Sequence, residues 1–263
     1  MKIDKVIFGI DDNPLYGDFW PIQAKLVKEV LGAEPVLFHI TNESSDFYND
    51  GNGLVKKIDK DTCPGIITSF LSQIIRMYAT KYFPDEVCMP SDIDMLILNN
   101  EWFTKQIKDI DDNSLIIMGE GGYKPEDNRY PICYNIGKGS TFNKILNTDI
   151  PFSLYAHQLG LLKQGWDTDE LYFGDKVNNY PHKVNVYKFK RHRNSSNSCL
   201  DRIDRHNFPV QLEWPGEIEA QQRDGVYDLD KLKEGYYIDA HCPRPYNKYK
   251  DAIEEVVNII LHE

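Results

Sequence analysis

No stretch of the 263 residues approaches the ~20 apolar positions that a helix needs to cross a bilayer. No membrane-spanning helix is therefore expected. Cysteine is scarce: Cys63, Cys88, Cys133, Cys199 and Cys242 are odd in number, widely scattered, and form no Cys-x-x-Cys pair. That argues against a zinc knuckle or a disulfide framework and for a reducing compartment. Behind the lysines of Met1-Lys2-Ile3-Asp4-Lys5 there is no apolar signal-peptide core, so the expected location is the cytoplasm. Positive charge is also short, with 30 Lys and Arg against 41 Asp and Glu and a net charge of −11. Such a chain repels nucleic acid overall, and a polyanion would have to meet a local basic patch. The candidate patch is Lys183, Lys188, Lys190, Arg191, Arg193, Arg202 and Arg205, opposed only by Asp201 and Asp204. Its simplest reading is a solvated loop.

What remains is the composition of an ordinary globule, 41% hydrophobic and 27% charged, which excludes disordered, collagen-like and coiled-coil classes. The length suits a chain with a sizeable core. Lys5–Ile10 is β-rich and opens onto the polar loop Asp11-Asp12-Asn13-Pro14. Ile22, Leu26 and Val30 then fall on one helical face that ends at Gly32, and Pro35–Ile40 reads as a second strand. Strand, helix, strand in this span predicts a right-handed βαβ unit and a parallel sheet. The clearest helix is expected over Asp61–Tyr82, with Ile67, Phe70, Leu71, Ile74, Ile75 and Tyr78 as its apolar stripe. Ser69, Gln73 and Arg76 lie along another face.

Strands are expected at Glu86–Met89, Ser114–Met118, Lys183–Phe189 and Tyr236–Asp239. Helical patterns cover Thr141–Leu146, Phe152–Lys163, Asp169–Val177 and Asp251–His262. Gly119 to Gly139, rich in Gly, Pro, Tyr and Asn, reads as a long shaped loop over a site. Alternating strands and helices without a linker predict one continuous α/β domain.

Asp-x-Asp occurs at Asp59/Asp61, Asp92/Asp94, Asp109/Asp111, Asp167/Asp169 and Asp228/Asp230, so a single occurrence in this aspartate-rich chain is weak evidence. Each can be a polar turn or a helix cap. Context separates Asp92 and Asp94, which follow a strand at the end where ligands bind in open α/β sheets. On extended backbone, residues i and i+2 point the same way, so both carboxylates can face one hard divalent cation completed by substrate phosphates. Asp109 and Asp111 lie in a polar run that suits a turn.

Strand, helix and a strand ending in Ser91-Asp92-Ile93-Asp94 resemble the GT-A fold of metal-dependent, nucleotide-sugar glycosyltransferases. The resemblance extends from Lys5 to roughly Tyr246. It implies a Rossmann-like, mostly parallel sheet flanked by helices, with a nucleotide-binding half (1–100) followed by an acceptor-binding half (101–263). Among members of that fold, the chain looks most like the small single-domain enzymes of large DNA viruses.

The resemblance also assigns roles. Tyr134–Gly139 is similar to the Asn-x-Gly element bordering the donor sugar, which nominates Asn135 and Gly137; a tight turn is the other reading. Gly165–Phe173 looks like the acceptor-side helix start whose acid, here Asp169 or Glu170, serves as general base in an inverting transfer. Trp166 beside it would stack on an acceptor ring. The same acids can simply complement a helix dipole. In Asp239–Tyr246, His241 is placed as the late metal-ligating histidine beside Asp92 and Asp94, and Arg244 as a diphosphate partner. The loop after the first strand nominates Asp11, Asp12 and Tyr16 for base and ribose, and Arg76 for the phosphates.

The implied cofactor is Mn²⁺ or Mg²⁺. The implied donor is a UDP- or GDP-sugar, hexosyl or pentosyl, and the acceptor is a glycan, with modified DNA disfavoured by the overall acidity. Two other readings stay open. A sugar-phosphate nucleotidyltransferase would normally carry a Gly-rich loop that Gly9–Gly17 lacks. The second is a non-catalytic nucleotide-sugar or carbohydrate-binding module.

Overall fold

The computed structural model describes residues 1–44, 46–49, 51–163, 165–179, 183–190 and 201–262. Arg191 and Arg193 of the basic run lie outside them. The main sheet is built from β1 (Lys5–Asp11), β2 (Glu34–Ile40), β3 (Leu54–Ile58), β4 (Val87–Pro90), β6 (Leu115–Glu120), β7 (Asn135–Lys138) and β8 (Val186–Lys190). Their spatial order is β3-β2-β1-β4-β7-β6-β8. All pairings are parallel except those of β7, which runs against β4 and β6. The expected mostly parallel α/β sheet is therefore present. A second, three-stranded sheet joins β5 (Met95–Ile97), β10 (Asp239–His241) and β9 (Arg202–Ile203), in the order β5-β10-β9.

The period-2 pattern of β1 divides the core in two. Val6, Phe8 and Ile10 point to one face, and Ile7 points to the other. The first face packs α1 (Trp20–Leu26), α9 (Tyr246–Leu261) and the second sheet. The other packs α2 (Thr68–Tyr78), α4 (Gly139–Leu146), α5 (Phe152–Gly160) and α6 (Thr168–Asn179). On α9 the buried Ile253, Val256 and Val257 each contribute about 1.5–3 kcal/mol of apolar burial. Shorter helices are α3 (Asn100–Thr104), α7 (Pro215–Asp224) and α8 (Leu229–Lys233).

Several boundaries differ from those expected. The helix expected from Asp61 begins only at Thr68, because Gly65 adopts a left-handed φ of 81° and Ile67 is still extended. The late strand expected at Tyr236–Asp239 lies three residues onward as β10. The segment read as a loop from Gly119 to Gly139 ends in β7. Among the described residues, four cysteines are free and buried, and no helix is long and apolar enough to cross a membrane.

Candidate active site

The site forms where β1 and β4 end. Gly9 on β1 has no side chain because α2 crosses directly over it. A Cβ there would overlap the Ser72 carbonyl oxygen and come within 2.6 Å of Ile75 Cγ2. That close approach brings Ser69, Ser72, Gln73 and Arg76 of α2 to the rim, beside Asp11. Asp11 accepts hydrogen bonds from the Asn13 amide (3.2 Å) and the Thr68 hydroxyl (2.8 Å).

Asp92-Ile93-Asp94 is a tight turn closed by Met95 N–H on the Asp92 carbonyl at 3.1 Å, which corrects the expectation of extended backbone. Gln23 of α1, fully buried, causes it: its amide nitrogen donates to the carbonyls of Asp92, Ile93 and Met95 at 3.3, 3.2 and 2.7 Å. The two carboxylates consequently meet different partners within one cavity. Asp92 pairs with Arg76. Asp94 Oδ2 lies 3.1 Å from Arg205, 3.4 Å from Arg244 and 3.5 Å from His241 Nε2. Burial alone would raise the pKa of Asp94, but His241, Arg205 and Arg244 outweigh it and hold the carboxyl well below the usual range.

The second sheet delivers that cationic group. Arg202 on β9 and Asp239 on β10 form a buried, two-point ion pair that locks the strands side by side. Just beyond them, Asp204 caps the turn Arg205–Asn207 and accepts from His241 Nδ1 at 3.2 Å. Arg244 lies over the Tyr16 ring and donates to its hydroxyl, tying the second sheet to the loop after β1.

The start of α6 also lines the cleft, and Arg76 joins its Asp169 to Asp92. Asp169 is 3% exposed, accepts from the Glu170 amide at 2.9 Å, and pairs with Arg76 at 3.2 Å. Burial pushes its pKa up to about 6, with Arg76 restraining the rise and Asp92 adding to it. Glu170 accepts from Tyr123 at 2.8 Å and has Arg129 at 3.7 Å. Burial also pushes Glu170 up to about 7, helped by the charges of Asp169 and Asp92 and opposed by the Tyr123 hydrogen bond. Arg129 stacks on Tyr123, 3.8 Å from the ring, and pairs with Asp167. Gly174 lets α6 touch this loop, since a Cβ there would sit 2.8 Å from Arg129 Cα.

These groups line one cleft of about 660 Å³. Asp11, Tyr16, Arg76, Asp92, Asp94, Trp166, Asp169, Glu170, His241 and Arg244, all singled out in the sequence, meet in it. Trp166 stands 68% exposed at its edge. Three nominated residues do not line it. Asp12 turns to His39 at 3.1 Å. Asn135 is buried in β7, donating to the carbonyls of Pro131 and Ile132, and Gly137 pairs with β4 beside Cys88. Arg202 and Arg205, which the sequence offered only as members of a basic run, and Tyr123, to which it gave no role, also line the cleft.

Among the described residues, no three carboxylate, imidazole or thiol groups are arranged to hold a metal by themselves. Asp94 and His241 converge to 3.5 Å, and Asp92 lines the same cleft. That oxygen and nitrogen donor set fits Mn²⁺ or Mg²⁺ arriving with phosphate oxygens that complete its coordination, rather than an all-protein cage.

No protein-family model matches the chain, and no curated protein matches it in sequence. Solved structures do resemble it. The apo form of the glycosyltransferase GlyE from Streptococcus pneumoniae TIGR4 is 11% identical, with a TM-score of 0.47 over 100% of this chain and 63% of that one. The apo bifunctional glycosyltransferase WbbM is 11% identical, with a TM-score of 0.45 over 98% and 50%. Mouse xyloside xylosyltransferase 1 is 8% identical, with a TM-score of 0.41 over 92% and 97%. The chain thus spans less than two thirds of GlyE and half of WbbM, and at these values the likenesses assign it no activity or substrate.

Proposed function

We propose that the cleft transfers a sugar from a UDP- or GDP-linked donor to a hydroxyl of a glycan acceptor. One observation carries the reading. Asp94 and His241, with Arg205 and Arg244 beside them, line the same cleft as two carboxylates of raised pKa, Asp169 and Glu170. A sugar held between a diphosphate and an acceptor needs both chemistries within one cleft.

Asp94 and His241, with Asp92, would hold a Mn²⁺ or Mg²⁺ ion against the diphosphate. That ion would supply charge stabilisation to the departing nucleotide. Arg244 and Arg205 bind phosphate oxygens, Asp11 and Tyr16 border the nucleoside, and Arg76 fixes Asp92 and Asp169. In an inverting transfer Glu170 takes the acceptor proton. It is the more exposed acid, and its ordinary charge is already restrained, which places its basicity near neutral pH. Asp169 has each oxygen engaged, one by the Glu170 amide and one by Arg76, and serves to hold the wall. Trp166 offers a ring face to the acceptor sugar.

The test is a thermal-shift panel of UDP- and GDP-sugars with Mn²⁺, followed by product analysis of the best donor. A raised melting temperature with one donor, and release of its nucleoside diphosphate, is the expected outcome. Pyrophosphate release from a nucleoside triphosphate and a sugar phosphate would instead make the protein a nucleotidyltransferase.

A further inference from the structure

Arg205 stands where the cation belongs. Its Nη2 is 3.1 Å from Asp94 Oδ2 and in hydrogen-bond contact with His241 Nε2, while its Nε donates to the Cys242 carbonyl at 3.3 Å. Those same two acceptor atoms are only 3.5 Å apart. A divalent ion held by both would have to occupy the space that the guanidinium now fills. Arg244 adds a second positive charge 3.4 Å from the same carboxylate oxygen, and the Asp94 side chain is 6% exposed, so little water screens the three charges. A bare cation must therefore dislodge a guanidinium and leave it without a counter-charge. A diphosphate removes that conflict, because its oxygens accept a guanidinium in the paired geometry that arginine favours. The backbone need not move. Asp204 fixes the turn that carries Arg205 and holds His241 by Nδ1, so only the Arg205 side chain has to swing.

Resting on the nucleoside-diphosphate-sugar reading of the cleft, we infer that Arg205 keeps the cation position filled until a diphosphate arrives. It then binds the diphosphate and admits the metal. Cation and diphosphate binding are then reciprocally coupled.

The experiment titrates the full chain with MnCl₂ alone, with MnCl₂ plus UDP, and with MnCl₂ plus GDP. Free Mn²⁺ is followed by electron paramagnetic resonance and heat by calorimetry. The wild type is expected to take up Mn²⁺ roughly tenfold or more tightly with one of the diphosphates than without. Arg205→Gln is expected to bind Mn²⁺ alone several-fold more tightly than the wild type and to lose most of the coupling. Arg205→Lys, which keeps a charge at that position, should still disfavour the bare ion. Circular dichroism melts of both variants check that the fold is retained, and should the glutamine variant unfold, the wild-type affinities with and without diphosphate still decide whether the coupling exists. Equal Mn²⁺ affinity with and without diphosphate in the wild type, or unchanged coupling in Arg205→Gln, would overturn the role of Arg205 while leaving the cation site standing. Absence of Mn²⁺ uptake under every condition would remove the cation site itself, and the role of Arg205 with it.

Discussion

Replacing Asp169 by asparagine should make the protein more stable at neutral pH while impairing turnover. The carboxyl is 3% exposed and its pKa is pushed up to about 6 from the ordinary 3.8. Two pH units correspond to about 3 kcal/mol in favour of the neutral form. The sign is unusual for an aspartate. The folded protein holds the proton more tightly than the unfolded chain, so stability is greatest near pH 4 and falls as pH rises toward about 6. Asparagine stays neutral throughout and can still accept from the Glu170 amide, but it offers Arg76 one acceptor fewer, a loss of about 1 kcal/mol. The net gain at pH 7 is then about 2 kcal/mol, or roughly 4–8 °C in Tm for a chain of this size. At pH 4 the two proteins should differ little. Urea unfolding of both between pH 4 and 8 measures this directly. A less stable asparagine variant at pH 7, or a wild type indifferent to pH between 4 and 6, would refute the burial argument.

The remaining expectations concern geometry and proton affinity. In an inverting transfer, kcat/KM should rise with pH through about 7 as Glu170 loses its proton. Tyr123→Phe, by removing a hydrogen bond to the ionised form, should move that limb upward by about one unit. An unmoved limb in a pH–rate series would take the base role from Glu170. Gly9→Ala should cost about 1–3 kcal/mol in a melting experiment and raise the donor KM, because α2 must lift away with Arg76. Gln23→Leu takes the side-chain donor from the Ile93 and Met95 carbonyls, while Asp92 keeps the Met95 N–H, and should cost about 1–3 kcal/mol, with weaker Mn²⁺ uptake in the presence of diphosphate. Wild-type uptake in that variant would show that the turn holds without Gln23.

The architecture was legible wherever local pattern and tertiary role coincide. The apolar run of β1, the apolar stripe of α2 and the stripe of α9 each announce buried surface, and they pack as expected except for Ile67, which precedes α2 and stands 70% exposed. Asp92 and Asp94 stood out because they follow a strand, and the strand end placed them correctly in the cleft. Their backbone did not follow, because Gln23 bends it from 69 residues away, and a single glutamine in a helix gives no sign of such a contact. Asn135 and Gly137 read as a loop because a four-residue strand buried on both sides has no alternation to display. Asp12 sits beside a true cleft residue, but its side chain leaves in the opposite direction to His39. Arg205 was hidden in a basic run whose common explanation is solvation. Its partners, Asp94 and His241, are brought to it only by the pairing of β9 with β10 and of β10 with β5.

The most direct test of the cleft's chemistry is nucleoside diphosphate release from the donor identified by thermal shift, with Mn²⁺, in the wild type and in Asp94→Asn. Release by the wild type that stops with EDTA and drops roughly 100-fold or more in the variant is the expected result. Undiminished release by Asp94→Asn in excess EDTA would contradict it.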